Sequence, residues 1–198
     1  LLTRDQQARL LAAAGEDLRP DVYSHSSIRN LYLDTPDFRL IRRSLEKPVY
    51  KEKLRLRSYG RTDRDSPVFM ELKKKYRSIV YKRRLTLPYD RALDCLTGAC
   101  PWPETQIGGE IRYTVDFYPD LESRVFLAYE RDSWLAPESG LRITFDDAIR
   151  FRTEELTLDS DPWGTALLGP DQVLMELKAP GAIPLWMVRL LTEMRLYK

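Results

Sequence analysis

One histidine, two cysteines and no apolar run of membrane-spanning length set the first limits on this 198-residue chain. With His25 alone, an HExxH zinc site and histidine-rich metal clusters are excluded. A Ser/His/Asp triad would have to be built on that one residue, and no GxSxG motif accompanies it. Cys95 and Cys100 lack a zinc-site spacing, and nothing else in the chain completes one. They read as small apolar residues of a reducing compartment, so a cytoplasmic location is expected. No stretch reaches the roughly 18 apolar residues of a membrane span, and Leu1-Leu2-Thr3-Arg4-Asp5 is not a signal peptide. A P-loop is missing, as is a GxGxxG following a strand. Repeats and low-complexity segments are missing too.

An excess of charge is also lacking. Charged residues make up 31% of the chain, yet the net charge is only +2. Any strong basicity is therefore local, which points to a focused site and away from sequence-specific or general nucleic-acid binding.

What is present is a succession of short strands between a few helices. Residues 4–14 have the apolar spacing of an amphipathic helix, with Thr3 as N-cap. Leu18 to Ser27, polar and holding His25, reads as an exposed loop. Ile28 to Asp34 alternates as a strand, and Phe38 to Leu45 reads as a short helix or turn. Asp90 to Leu96 reads as a helix stopped by Gly98. Ile107 to Tyr118 fits helix or strand, with helix favoured. Val125 to Trp134, Leu141 to Asp146 and Val173 to Lys178 read as strands, and Leu185 to Leu196 as an amphipathic helix. The length suits one domain, and the hairpin spacing implies an α+β fold with a largely antiparallel sheet or barrel.

Between the second and third helices lie the three segments that organise the chain: Lys51–Arg57, Phe69–Lys75 and Ile79–Leu87. Strand side chains alternate between faces. Lys51, Lys53, Arg55 and Arg57 share a face, with Leu54 and Leu56 opposite. Glu71, Lys73 and Lys75 share a face, with Met70 and Leu72 opposite. Lys82 and Arg84 oppose Tyr81, Leu85 and Leu87. One strand of this kind is an ordinary solvated surface. Three in succession are different, because strands about 4.8 Å apart place like charges side by side unless an anion lies among them. The pattern suits a groove or lumen for a polyanion.

Arginine grips phosphate oxygens bidentately, and lysine acts as a point charge. The candidates are Arg55, Arg57, Lys73, Lys82, Arg84, Arg131, Arg142 and Lys178. For each the plain alternative is a surface salt bridge worth about 0–1 kcal/mol. Glu71 and Glu176 lie in the same rows, either neutralising lysines or holding Mg²⁺ or Mn²⁺, which prefer carboxylate and phosphate oxygens.

These segments together resemble the catalytic domain of the vacuolar transporter chaperone family, the VTC domain of the triphosphate tunnel (CYTH-like) superfamily. The resemblance is carried by Ser27-Ile28-Arg29-Asn30-Leu31-Tyr32-Leu33-Asp34-Thr35, Lys53-Leu54-Arg55-Leu56-Arg57-Ser58-Tyr59-Gly60, Phe69-Met70-Glu71-Leu72-Lys73 and Lys82-Arg83-Arg84. It continues through Tyr129-Glu130-Arg131, Leu141-Arg142-Ile143-Thr144-Phe145-Asp146 and Met175-Glu176-Leu177-Lys178, and so spans nearly the whole chain. It implies an antiparallel β-barrel forming a triphosphate tunnel, its outer wall covered by amphipathic helices. It implies a metal-dependent polyphosphate polymerase using ATP, here in the short form of a bacterial relative. By motif, Arg55, Arg57, Lys73, Lys82, Arg131 and Arg142 would contact phosphates, with Tyr129, Arg84 and Lys178 beside them. Glu176, with Glu71, would hold Mn²⁺ or Mg²⁺. The chain begins at the family's first helix and stops at Leu196-Tyr197-Lys198, so a first strand and a lysine-bearing C-terminal segment are expected to be missing. The same barrel also serves triphosphatases and nucleotidyl cyclases, and a non-catalytic polyanion-binding module is a further alternative.

Overall fold

The computed structural model describes residues 1–118 and 120–196. Among them are nine strands and five α-helices, in the order β1 (Leu2–Thr3), α1 (Arg4–Ala14), β2 (Arg19–Asp34), α2 (Arg39–Leu45), β3 (Tyr50–Tyr59), β4 (Pro67–Tyr76), β5 (Ile79–Pro88), α3 (Tyr89–Thr97), α4 (Gln106–Phe117), β6 (Glu122–Ala136), β7 (Leu141–Arg152), β8 (Thr165–Ala166), β9 (Gln172–Lys178) and α5 (Leu185–Glu193). The hydrogen-bonded strand order is β1-β9-β7-β6-β2-β3-β4-β5, with β8 on β7. Among the described residues this order is a linear path and not the closed ring of a barrel. No helix among the described residues is long and apolar enough to cross a membrane.

The chain forms two compact units. The first comprises Leu1–Ser27, Tyr129–Arg150 and Ala166–Lys198, and the second Ile28–Ala128 and Phe151–Thr165.

In the second unit, antiparallel pairing of β2 to β3, β3 to β4 and β4 to β5 aligns the alternation of all four strands. Leu31, Leu33, Leu54, Leu56, Met70, Leu72 and Leu87 fall on one face and enter a single core. The apolar sides of α3 (Tyr89, Ala92, Cys95) and α4 (Ile111) belong to the same core. Leu54, Leu56, Met70 and Leu72 are completely buried, and truncating such a side chain costs about 2–5 kcal/mol. Gly98 ends α3 in the left-handed region at φ 78, its N–H returned to Asp94 and Cys95. The segment whose pattern fitted helix or strand is α4, capped by Thr105. Its first turn runs so close to the Pro103 carbonyl that a Cβ at Gly108 would lie 2.2 Å from that oxygen.

The loop after β7 closes over this core with Leu158, and Arg152 organises it. The Arg152 guanidinium donates to the carbonyls of Glu154, Glu155, Thr157, Asp161 and Trp163 and to Ser160 Oγ. It lies 3.6 Å from the Phe126 ring centroid. Burial pulls its pKa down, with Glu155 opposing. Lysine at this position keeps the charge but cannot fork to so many carbonyls. Arg152→Lys is therefore expected to cost about 3 kcal/mol, read as a lower urea midpoint at unchanged slope. A midpoint equal to that of the parent would show that the loop is held by other contacts.

In the first unit, Leu141, Ile143 and Phe145 of β7 and Val173 of β9 pack with Leu10 and Ala14 of α1 and Met187 of α5. Thr3 caps α1 in a reciprocal capping box with Gln6. The segment expected as a loop, Leu18 to Ser27, is instead mostly strand, since β2 begins at Arg19. Its residues are largely exposed and polar, so no apolar alternation marks it. Leu2–Thr3 forms a two-residue strand that pairs antiparallel with β9. Tyr197 and Lys198 lie outside the described residues.

Candidate functional site

The face of the second unit opposite its core carries Lys51, Lys53, Arg55 and Arg57 from β3. From β4 come Phe69, Glu71, Lys73 and Lys75, and from β5 Lys82 and Arg84. The register stacks them in rows across the strands. Arg55 faces Glu71, which faces Arg84; in the next row Lys53 faces Lys73, which faces Lys82. Like charges directly opposite on a sheet repel, and here a whole row is lysine.

Glu71 is the only carboxylate on this face of the three strands, and it is 2% exposed. Its Oε2 accepts from Arg55 Nε at 2.8 Å and Nη2 at 2.6 Å. Its Oε1 accepts from Arg84 Nε at 2.7 Å and lies 2.8 Å from Lys82 Nζ. Arg57 Nη1 stands 3.9 Å from Oε2. Burial opposes ionisation of Glu71, but Lys82, Arg55 and Arg57 outweigh it and hold the carboxyl down at about 2. The metal role expected of Glu71 meets a large electrostatic cost in this setting. Both oxygens are occupied by cations, and a divalent ion placed among them would be repelled.

Neutral neighbours aim the arginines. Tyr32 Oη accepts from Arg55 Nη1 at 2.9 Å, and Asn30 Oδ1 accepts from Arg57 Nε at 2.8 Å. Asn30 is itself anchored by donating to the Leu127 carbonyl at 3.1 Å. The Arg84 guanidinium lies 4.7 Å from the Phe69 ring centroid. Lys53 and Lys73 have no acidic partner among the described residues. Lys53, Asn30, Tyr32 and Phe69 are absent from the eight phosphate candidates read from sequence, although Lys53 lies on the basic face. Their parity with Arg55, Arg57 and Glu71 was the available signal.

The first unit holds the remaining candidates, and there each base meets an acid. Arg131 binds Asp146 bidentately at 2.6 and 2.7 Å and lies 5.2 Å from the Tyr129 ring centroid. Burial disfavours the Arg131 charge, yet Asp146, with Tyr129 and Glu176 contributing, raises its pKa. Arg142 Nε is 2.9 Å from Asp21, a partner in the segment expected as a loop. Lys178 Nζ is 3.3 Å from Glu176, whose side chain is 51% exposed. Across the β7–β9 ladder, Thr144 faces Glu176 and Arg142 faces Lys178. The Thr144 hydroxyl oxygen is buried, with no hydrogen-bond partner among the described residues. His25, expected as an exposed loop residue, is an exposed strand residue with Asp132 at 2.8 Å and Glu130 at 3.3 Å.

No group of three or more His, Cys, Asp or Glu side chains among the described residues is placed to hold a metal. Of the two carboxylates that act on Arg131, Glu176 is the half-exposed one, since Asp146 is buried and engaged by Arg131. One protein carboxylate suits Mg²⁺ or Mn²⁺ when phosphate oxygens and water complete the shell.

The model of the VTC domain family matches residues 1–198. No curated protein matches the chain. Sixteen chains of solved structures do. One, from Bacillus halodurans and provisionally named an adenylate cyclase, superposes with a TM-score of 0.58 at 15% identity, covering 100% of this chain and 88% of that one. At that identity the likeness is one of fold.

Proposed function

The chain belongs to the VTC domain family, and from that premise we propose that it is a polyphosphate polymerase. The γ-phosphoryl group of ATP would pass to the end of a growing inorganic polyphosphate chain. A terminal oxygen of polyphosphate forms the new bond to the γ-phosphorus, the bond to the β,γ-bridging oxygen breaks, and ADP leaves. Such transfers depend on positioning and charge stabilisation, with no covalent nucleophile required.

One observation carries this reading: the Lys53–Lys73–Lys82 row beside the Arg55–Glu71–Arg84 row. A surface evolved only for solubility mixes signs; this one concentrates cations around a single buried carboxylate. Lys53, Lys73 and Lys82 supply point charges, and Glu71 holds Arg55 and Arg84 in fixed orientations for phosphate oxygens. The first unit carries its own set of candidate phosphate contacts, Arg131, Arg142 and Lys178, with the Tyr129 ring centroid 5.2 Å from the Arg131 guanidinium. Mn²⁺ or Mg²⁺ bound at Glu176 would neutralise phosphate charge. The free thiols of Cys95 and Cys100 suit the cytoplasm.

The test is incubation of the protein with ATP and Mn²⁺, with products resolved on a polyacrylamide gel. Long-chain polyphosphate is expected. Lys73→Ala is expected to reduce its formation by about tenfold or more, as removal of one charge-stabilising donor does. Release of inorganic phosphate alone, or of a cyclic nucleotide, would replace the polymerase with a triphosphatase or a cyclase of the same fold. The name of the Bacillus structure suggests the cyclase. Tight polyphosphate binding without turnover would make the chain a polyanion-binding module.

A further inference from the structure

A cavity of about 270 Å³ opens beside the basic face of the second unit. Its walls include Tyr32 of β2, Phe38 and Ile41 at α2, Lys53 of β3, and Arg124 and Leu127 of β6. Three features distinguish it from a packing gap. Phe38, a bulky residue, is held in the left-handed region at φ 59, a conformation that such residues adopt only when their surroundings impose it. The Arg124 Nε–H is buried and has no acceptor among the described residues. The other Arg124 nitrogens are committed to Glu122 and the Pro36 carbonyl, and its guanidinium lies 4.7 Å from the Phe38 ring centroid. Finally, two wall residues belong to the phosphate site: Tyr32 accepts from Arg55, and Lys53 stands in the lysine row.

We propose that this cavity receives the nucleobase of the nucleoside triphosphate donor, with the phosphates lying on the adjoining Lys53 and Arg55 face. The inference rests on the proposed use of a nucleoside triphosphate and adds where its base binds. The apolar walls suit a flat ring, and the unpartnered Arg124 donor suits a ring nitrogen or carbonyl acceptor. Pockets that enclose a whole drug-sized ligand run from about 300 to 1,000 Å³, so this one takes a base with part of its sugar and leaves the phosphates outside. An apolar ligand without charge would use neither Lys53 nor the Arg124 donor.

Ile41→Trp fills the cavity from its α2 wall without touching the cation rows. Calorimetric titration with ATP and with inorganic tripolyphosphate separates the base from the phosphates. ATP affinity is expected to fall by about tenfold or more in Ile41→Trp, while tripolyphosphate affinity stays within about twofold. Leu127→Phe, filling from the opposite wall, is expected to give the same split, and circular dichroism identifies a variant that has lost its fold. If the parent protein binds tripolyphosphate and filling the cavity leaves ATP affinity unchanged, or weakens both ligands equally, the base lies elsewhere and the phosphate reading stands. If the parent protein binds neither ligand, both readings fall.

Discussion

Replacing Glu176 with glutamine is expected to cut turnover by about 100-fold or more while tripolyphosphate still binds, a loss typical of removing a principal charge-stabilising element. Glu176 sits on β9 opposite Thr144, half exposed, with Lys178 as its ion-pair partner. Two further carboxylates of this unit, Asp146 and Asp21, are engaged by Arg131 and Arg142. A divalent ion at Glu176 would therefore take most of its ligands from phosphate and water, so its affinity should be weak in the free protein and rise with tripolyphosphate present. Glutamine keeps the shape and removes the charge. Mn²⁺ binding followed by electron paramagnetic resonance, with and without tripolyphosphate, reads the site independently of activity. If Glu176 merely balances Lys178, turnover falls only modestly and the half-saturating Mn²⁺ concentration is unchanged. That result would remove Glu176 from the metal site.

The second large effect concerns Glu71. Its carboxyl is lowered from 4.5 to about 2 in the folded protein. Such a shift corresponds to about 3 kcal/mol of stability at neutral pH. Because the folded value is the lower one, this stability is fully present above about pH 4.5 and is lost as pH falls toward about 2. Glu71→Gln is therefore expected to destabilise the protein by about 3 kcal/mol at pH 7 and to remove part of the acid slope between those values. The cations left behind repel one another, so tripolyphosphate should raise the melting temperature of the variant more than that of the parent. A variant as stable as the parent, with an identical acid profile, would mean that the cations are organised without Glu71.

Much of this site follows from a period of two. Alternation in Lys51–Arg57, Phe69–Lys75 and Ile79–Leu87 was enough to separate a basic face from the leucines that enter the core. Local chemistry likewise indicated α1, through the Thr3 cap, and the end of α3, through Gly98. These features depend on residues a few positions apart, and a linear pattern contains them.

Tertiary structure decided which charges meet. Sequence offered Glu71 as a metal ligand; cross-strand register surrounds it with Arg55, Lys82 and Arg84 and turns it into the organiser of the cations. Residues 19–27 carry no apolar alternation, and only in the folded chain does that segment, now part of β2, bring Asp21 to Arg142 and His25 to Asp132. Lys53 acquires its place from the lysines opposite it and from the cavity it borders. Arg152 lies beyond every segment read from sequence as a strand, and its role appears only in the loop gathered around it. Side-chain direction along a strand is fixed by stereochemistry within the segment, so sequence by itself determined the two faces. Partner identity is fixed by register and by contacts between distant segments, so the fold alone determined what each face does.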